Sequence, residues 1–544
     1  MNSRNVSAPA TSAASNPVTL GIEPAVASAP KLQSRYASLA ALSAVPSLDR
    51  TSIDVLAPFT GALLGRIPRG TESDIDAAVK TARQAQPAWA AIPIARRSVV
   101  FTRFQSLLLA HREEIVDLIQ LESGKARRHA FEEILDTAVV AQHYAVHAAR
   151  YLRPRRRAGA FALLTTTVEL RHPVGVVGIV APWNFPLILS ITDAIAALMA
   201  GNAVVLRPDV QSSLTALLAA SLLYEAGLPR DVLRVVTGEG HELGPALIDR
   251  VDFVMFTGST RTGKIVAQQA AARLTGFSLE LGGKNPMIVL ADADVDAAVD
   301  GAVRGAFVGA GQVCVSMERL YLPDAIHDDF VARLVARTRA LRIGPAMDYT
   351  VDVGSMTSAR QLAVVEEHVA DALAKGATLL HGGRRRPDLG PLFYEPTILS
   401  GVRPGMTAYA EETFGPVLAV YRYDDVEEAI VRANDTRYGL NASVWSRSRR
   451  RAIDVARRIQ CGTVNVNEAY AASWTATGSP IGGMKQSGAG RRHGEEGILK
   501  YTEVQTIAVQ RLMPLAPPPF LDEQFYTNLM SRVVQAIGRI PGLR

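Results

Sequence analysis

The alternation of short apolar runs with helical ones between Val174 and Gly283 constrains this chain most. VGVVGIVAP (174–182) reads as a buried strand, SITDAIAALMAG (190–201) as a helix ending at a glycine, and NAVVLRP (202–208) as a second strand. SLTALLAASLLYEAGL (213–228) is a second helix; VLRVVTG (232–238), DFVMFTG (252–258) and FSLELGG (277–283) are further strands. Strands this apolar, separated by helices, call for a parallel sheet covered on both faces. No GxGxxG is present, but GSTRTG (258–263) stands where a strand turns into a helix, so backbone N–H groups there are placed to face a phosphate. The pattern predicts an α/β dinucleotide-binding unit. A second α/β unit is expected from about Lys284 to Pro480, and 544 residues leave room for two or three domains.

The flanks read differently. From Thr71 to about Tyr151 the pattern is helical, with SDIDAAVKTARQAQPAWAA (73–91) opening on a Ser/Asp cap. FALLTTTVELRHP (161–173) alternates like a strand that leaves the main body, and YTEVQTIAVQ (501–510) is the last long strand signal. The first 48 residues, rich in Ala, Ser, Pro and Val, read as a disordered extension. PLAPPPF (514–520) is a stiff spacer before a tail whose FYTNLMSRVVQAI has a weak helical pattern suited to packing on a neighbouring subunit or domain. The apolar stretch 173–206 is broken by Pro182, Asn184, Pro186 and Asp193, so it is not a membrane span. A net charge of +6 comes partly from the runs 155–157, 384–386 and 449–451. No aromatics interleave these arginines, so they read as solvated loops and no nucleic-acid partner is expected.

Two residues carry the chemistry. Glu280, in LELGGKNPM, and Cys314, in GAGQVCVSMER, stand 34 positions apart, and the only other cysteine is Cys461. A thiolate attacks a carbonyl carbon once its proton is removed. A nearby carboxylate can then activate the water that hydrolyses a thioester. Gly282, Gly283, Gly309 and Gly311 flank the pair and permit close approach of backbone or ligand. A free nucleophilic thiol suits a reducing compartment, so a cytoplasmic protein is expected.

Nine runs then form a series: VAPWNFPL (180–187), GNAVVLRP (201–208), FTGSTRTGK (256–264), LELGGKNP (279–286), GQVCVS (311–316), EETFGPV (411–417), NDTRYGLNASVW (434–445), GTVNVN (462–467) and PIGGMKQSGAGR (480–491). In this order the chain resembles the NAD(P)-dependent aldehyde dehydrogenases over about residues 53–507. The resemblance implies two Rossmann-like parallel-sheet domains plus a β-strand oligomerisation arm. It assigns 49–151 and 173–282 to cofactor binding, 283–497 to catalysis, 152–172 and 498–511 to the arm, and 512–544 to the tail. It implies that Cys314 forms a thiohemiacetal, that Asn184 and the Cys314 N–H hold its oxyanion, and that Glu280 activates water, giving an acid product. Glu412 and Phe414 match the nicotinamide contacts, Gly258, Ser259 and Gly263 the cofactor loop, and Leu281 and Gly282 the cofactor floor; Trp183 matches the packing around the cofactor. A homodimer or homotetramer is implied, and no metal. A protein that kept the fold but lost the chemistry would show damage at Cys314, Glu280 or Asn184, and all three are intact.

The departures are informative. Arg207 takes the family's usual lysine position and Val210 that of the NAD-selective glutamate, with Asp209 beside them. A cation without that carboxylate predicts NADP preference, with NAD usable. Family members commonly carry a lysine nine residues after the oxyanion asparagine and a glutamate just after SGxGR; here these are Asp193 and Arg492. The reversal of both charges predicts an ion pair with exchanged poles near Glu280. The runs GTVNVNEAYAASW, GRRHGEEGILKYTEVQTIA and IGRIPGLR resemble a bacterial subgroup described as NADP-dependent succinate-semialdehyde dehydrogenases. Yet the two arginines that such enzymes use for the distal carboxylate are Thr192 and Val308 here. Arg319, Arg491, Arg492, His493, Ser316 and Thr475 are the candidates to replace them. Tyr470 and Trp474, in the loop 468–479, instead suggest a more apolar entrance for an apolar or aromatic aldehyde.

Overall fold

A computed structural model of the protein describes residues 30–45, 51–157, 165–511 and 516–537. The predicted alternation becomes a six-stranded sheet in the order Gly488–Ala489, Gly276–Glu280, Phe253–Thr257, Val176–Val180, Ala203–Arg207, Leu233–Val235. All neighbours are parallel except the short Gly488–Ala489 strand, which runs antiparallel to Gly276–Glu280. Strands such as Ala203–Arg207 and Val176–Val180 are buried throughout, as a sheet covered on both faces requires. The helices Glu72–Ala91, Ile94–Ala110, Arg112–Ser123 and Arg127–Leu152 contribute to the same apolar core. The cap of the first is Thr71 rather than the Ser/Asp pair: Asp74 reaches back to the Thr71 N–H at 2.8 Å in a capping box.

The second unit is a seven-stranded sheet with its own core, in the order Thr378–His381, Thr397–Ser400, Val417–Tyr423, Met317–Pro323, Asn285–Val289, Asn441–Trp445, Thr463–Val466. Only Thr378–His381 pairs antiparallel. Outside both, Thr502–Gln510 pairs antiparallel with Thr165–Pro173, and Arg155–Arg157 adds a third strand. This matches the two strands expected to form the arm; residues 161–164 of the first lie outside the described ones. Val504, Ile507 and Val509 on this ribbon are exposed.

The disordered extension needs correcting. Pro30–Ala40 is a helix, and its Tyr36, Leu39 and Ala40 are buried in the first core. These residues stand at i, i+3 and i+4, a one-faced apolar stripe that the Ala/Ser composition masked. Residues 1–29 and 46–50 lie outside the described ones. The tail carries a helix, Glu523–Ile537, with Phe525, Leu529 and Val534 exposed. The arginine run 384–386 is paired with acids: Arg384 with Glu395 at 3.3 Å, Arg386 with Asp388 at 2.7 Å, and Arg385 with Glu366. Among the described residues no helix is long and apolar enough to cross a membrane.

Candidate active site

Three chain segments converge between the two sheets. Asn184 lies in the turn between Val176–Val180 and the helix Pro186–Met199, which begins on a proline whose missing N–H costs nothing at that position. Glu280 is the last residue of Gly276–Glu280. Cys314 follows the helix Val295–Phe307 through a tight turn at 308–311. Gly311 has φ +69°, and a Cβ there would fall 2.1 Å from the Gly415 carbonyl oxygen, so this turn can press against the EETFGP segment only as glycine. Cys314, Glu280 and Asn184 line one cavity of about 280 Å³ together with Trp183, Gly258, Ser259, Leu281, Gly282, Glu412 and Phe414. The Trp183 and Phe414 rings meet edge to face at 5.6 Å.

The electrostatics follow from burial. The Cys314 thiol is pushed up to about 12 by desolvation, reinforced by the Glu412 and Glu280 carboxyls and opposed by Arg492. Glu280 is pushed up to about 7 by burial, with Arg492 and Lys500 opposing. Its Oε1 is buried without a hydrogen-bond partner. Burial likewise raises Glu412 to about 8, although its Oε1 accepts from the Gly283 N–H at 2.8 Å. A Cβ on Gly282 would fall 2.2 Å from Glu412 Oε2, so that glycine is what admits the carboxylate.

The expected ion pair is present: Arg492 Nη2 lies 2.8 Å from Asp193 Oδ2, both buried. Lys500 joins it, 3.0 Å from Asp193 Oδ1, which also accepts from Tyr501 Oη at 2.8 Å. Although burial opposes it, Arg492 and Lys500 hold the Asp193 carboxyl down to about 2. Arg492 also donates to Thr257 Oγ1 at 2.6 Å and lines a small chamber with Glu280, Cys314 and Trp474.

Other candidates fall elsewhere. Arg207 is buried, donates from Nη2 to the Gly238 carbonyl at 3.0 Å, and keeps an unpartnered Nε. Asp209 caps the short turn Val210–Ser212 through the Gln211 N–H at 3.0 Å. None of Arg207, Asp209 and Val210 lines the cavity around Cys314. A Cβ on Gly263 would meet the Leu281 side chain at 2.5 Å, so this glycine packs the Thr260–Ala272 helix against the floor. Thr192 donates to the Ile188 carbonyl at 2.8 Å and Val308 is buried. Arg319 does not face the cavity: it is buried and bound to the carbonyls of Lys284, Arg432 and Ala433. Ser316 is likewise occupied with the Gly305 and Ala306 carbonyls.

A second opening onto Cys314 is lined mainly by Leu135, Phe185, Ile188, Leu189, Tyr470 and Trp474, with Thr475 also on its wall. Its one basic side chain among the described residues is Arg304, 3.5 Å from Glu132 and 3.7 Å from Glu468, over the Tyr470 ring at 5.2 Å.

Sequence reasoning missed the residues that hold the cysteine loop. Asn285 Nδ2 donates to the carbonyls of Cys314 (2.8 Å) and Ser316 (2.7 Å), and Asn441 Nδ2 to that of Val315 (3.1 Å). Lys284 forms a buried pair with Glu318 at 2.5 Å, and Glu318 accepts from the Thr413 and Phe414 N–H groups at 3.0 Å each. Lys284, Asn285 and Asn441 all lie inside the quoted runs, which was the available signal.

The comparisons with known proteins agree with this geometry. Residues 45–507 match the model of the aldehyde dehydrogenase family. A Mycolicibacterium smegmatis protein provisionally named succinate-semialdehyde dehydrogenase (NADP+) is 48% identical over 508 residues, covering 93% of this chain and 98% of its own length. A Mycobacterium tuberculosis protein with a similar provisional name is 46% identical, over 94% of this chain and 98% of its own. Among solved structures, an NAD-dependent aldehyde dehydrogenase from Sinorhizobium meliloti superposes with a TM-score of 0.83 at 37% identity, covering 87% of this chain and 95% of its own. An E. coli NADP-dependent enzyme gives 0.81 at 36%, over 85% and 95%. With cysteine, glutamate and asparagine around one cavity between two parallel sheets, and a family match over most of its length, this chain belongs to the aldehyde dehydrogenase family.

Proposed function

We propose that the protein oxidises an aldehyde to its carboxylic acid with NADP+ preferred and NAD+ usable. The observation that carries this is the convergence of Cys314, Glu280 and Asn184 on one cavity walled by Gly258, Ser259, Gly282, Glu412 and Phe414. The cavity wall at Gly258 and Gly282 and the start of the Thr260–Ala272 helix fit a dinucleotide, with Ser259 toward its phosphates and Glu412 and Phe414 toward its nicotinamide end. When bound, the oxidised nicotinamide supplies the hydride acceptor. Val210, where a carboxylate would repel a 2′-phosphate, supports NADP, as do the names of the mycobacterial relatives.

The chain's own residues do the rest. Cys314 Sγ bonds to the aldehyde carbon after giving up its proton. The Asn184 Nδ2 and Cys314 N–H groups hold the resulting oxyanion, a donor worth about 3–4 kcal/mol of barrier. After oxidation the acyl group is a thioester on Cys314. Glu280, raised to about 7, removes a proton from the water that hydrolyses it.

The names of the relatives support succinate semialdehyde as substrate, and Arg304 is the channel cation that a distal carboxylate would meet. The apolar wall of Leu135, Phe185, Ile188, Leu189 and Trp474 favours a second reading, an uncharged or aromatic aldehyde. The test is kcat/KM with NADP+ for succinate semialdehyde against butanal. A site that binds the carboxylate should favour the acid by about two orders of magnitude or more; equal values or preference for butanal select the second reading. No dinucleotide reduction with any aldehyde would overturn the proposal itself.

The exposed Val504, Ile507 and Val509 support pairing of the arm with another copy in a dimer or tetramer. The two free cysteines support a cytoplasmic setting.

A further inference from the structure

Lys125 is 3% exposed and lies directly behind the Asn184 turn, lining neither opening onto Cys314. A buried ammonium is retained only with excellent partners, and Lys125 has three. Its Nζ donates to Glu133 Oε1 at 2.6 Å and to the Asn184 backbone carbonyl at 2.7 Å, and stands 4.0 Å from the centre of the Phe185 ring. Glu133, fully buried, turns its other oxygen to the N–H groups of Leu187 (2.9 Å) and Ile188 (3.3 Å), in the first turn of Pro186–Met199. The pair therefore grips the turn at Asn184 and just after it: ammonium on the Asn184 carbonyl, carboxylate on the Leu187 and Ile188 amides.

The far side closes into a ring. Asn184 Nδ2 donates to the Gln312 carbonyl at 3.0 Å, two residues before Cys314. Gln312 Oε1 accepts from the Thr357 N–H at 2.9 Å, and Thr357 Oγ1 donates to the Ser123 carbonyl at 2.7 Å, two residues before Lys125. The Ser355 N–H adds a bond to the Gly124 carbonyl at 2.8 Å. From Lys125 through Asn184, Gln312, Thr357 and Ser123 the bonds return to their start. Both segments that supply oxyanion donors, the Asn184 turn and the Cys314 loop, are referenced to this ring.

We infer that Lys125, with Glu133, is a positioning residue that sets the Asn184 amide against Cys314. The inference rests on the reading of Asn184 as an oxyanion donor. Misplacing a catalytic group by about 1 Å can cost about 100-fold in rate, and Lys125 reaches the oxyanion site through Asn184. Loss of Lys125 should therefore lower kcat and leave the dinucleotide KM nearly unchanged.

The test is a double-mutant cycle in the full chain, with Lys125→Met, Asn184→Ala and the pair, reading kcat, KM and the rate of Cys314 alkylation by iodoacetamide. We expect Lys125→Met to lower kcat at least about tenfold, Lys125→Arg to restore part of it, and alkylation to be unchanged. In the Asn184→Ala background Lys125→Met should cost less than about twofold, since residues acting through one group are non-additive. The same fold-loss in both backgrounds would overturn the inference and leave the oxyanion reading standing. Full kcat in Asn184→Ala alone would overturn the oxyanion reading, and this inference with it. Where Lys125→Met does not fold, Glu133→Gln takes its place in the same cycle with the same criteria.

Discussion

Replacing Glu280 by glutamine keeps the side chain's shape and deletes its charge, and stability and turnover should then move in opposite directions. The carboxyl is buried, one oxygen has no partner, and burial pushes it from an ordinary 4.5 to about 7. In the unfolded chain it ionises near its ordinary value. Between the two values the unfolded state has lost a proton that the folded state retains, so native stability falls as pH rises. Above about pH 7 the full cost is about 3 kcal/mol, and below about pH 4 it vanishes. Glutamine carries no such cost. The melting-temperature difference between Glu280→Gln and the parent should therefore be small near about pH 5 and favour the variant clearly near about pH 8. Other raised carboxyls, such as Glu412, are common to both proteins and largely cancel in the difference. Turnover should collapse for a different reason. Rapid mixing with aldehyde and NADP+ should give a burst of about one reduced dinucleotide per site and then a slow phase, because the thioester forms but its water is not activated. A stability difference that does not change with pH would refute the desolvation argument. Full steady-state turnover would refute the role of the base.

Three further outcomes are expected. Arg492→Leu removes the largest charge opposing the raised Glu280, so the acid limb of the kcat profile should move to higher pH by about one unit, with roughly a fivefold loss near pH 7; an unmoved limb would separate Arg492 from the base. Val210→Glu should shift the NADP+/NAD+ ratio of kcat/KM toward NAD+ by about tenfold or more, and an unchanged ratio would place cofactor selection elsewhere. Cys461 is buried, its thiol pushed up to about 11 by desolvation, and it lines no part of the cavity around Cys314, so Cys461→Ser should retain turnover and remain sensitive to iodoacetamide; loss of turnover would contradict this.

What could be read from sequence were the features that repeat along the chain: the apolar strands at 176–180, 203–207 and 253–257, and the motif runs that bring Asn184, Glu280 and Cys314 together. The Pro30–Ala40 helix escaped because alanine and serine give little periodic contrast, although Tyr36 and Leu39 anchor it. Arg319 stood close to the cysteine in sequence, yet it belongs to a strand, and its guanidinium points to the carbonyls of Lys284 and of Arg432 and Ala433 in the helix Val426–Asn434. Sequence proximity to a catalytic residue says little when the intervening turn is tight and the next element is a buried strand.

The charge-reversed pair shows the same limit from the other side. Asp193 and Arg492 sit at fixed offsets from the motif runs and so could be matched; Lys500 lies inside the run GRRHGEEGILKYTEVQTIA, but that run assigns it no role, and it reaches the pair because the short helix Gly494–Leu499 turns the chain back toward Asp193. Its arrival changes the balance. Arg492 and Lys500 face a single Asp193, while burial holds the adjacent His493 well below its ordinary range, at about 3, and therefore neutral. Such a cluster buries a net positive charge unless Glu280 is ionised. Exchanging the poles of the pair therefore does more than preserve an attraction. With two cations behind the base instead of one, deprotonating Glu280 brings the buried group to neutrality, which offsets part of the desolvation that would otherwise keep the carboxyl protonated.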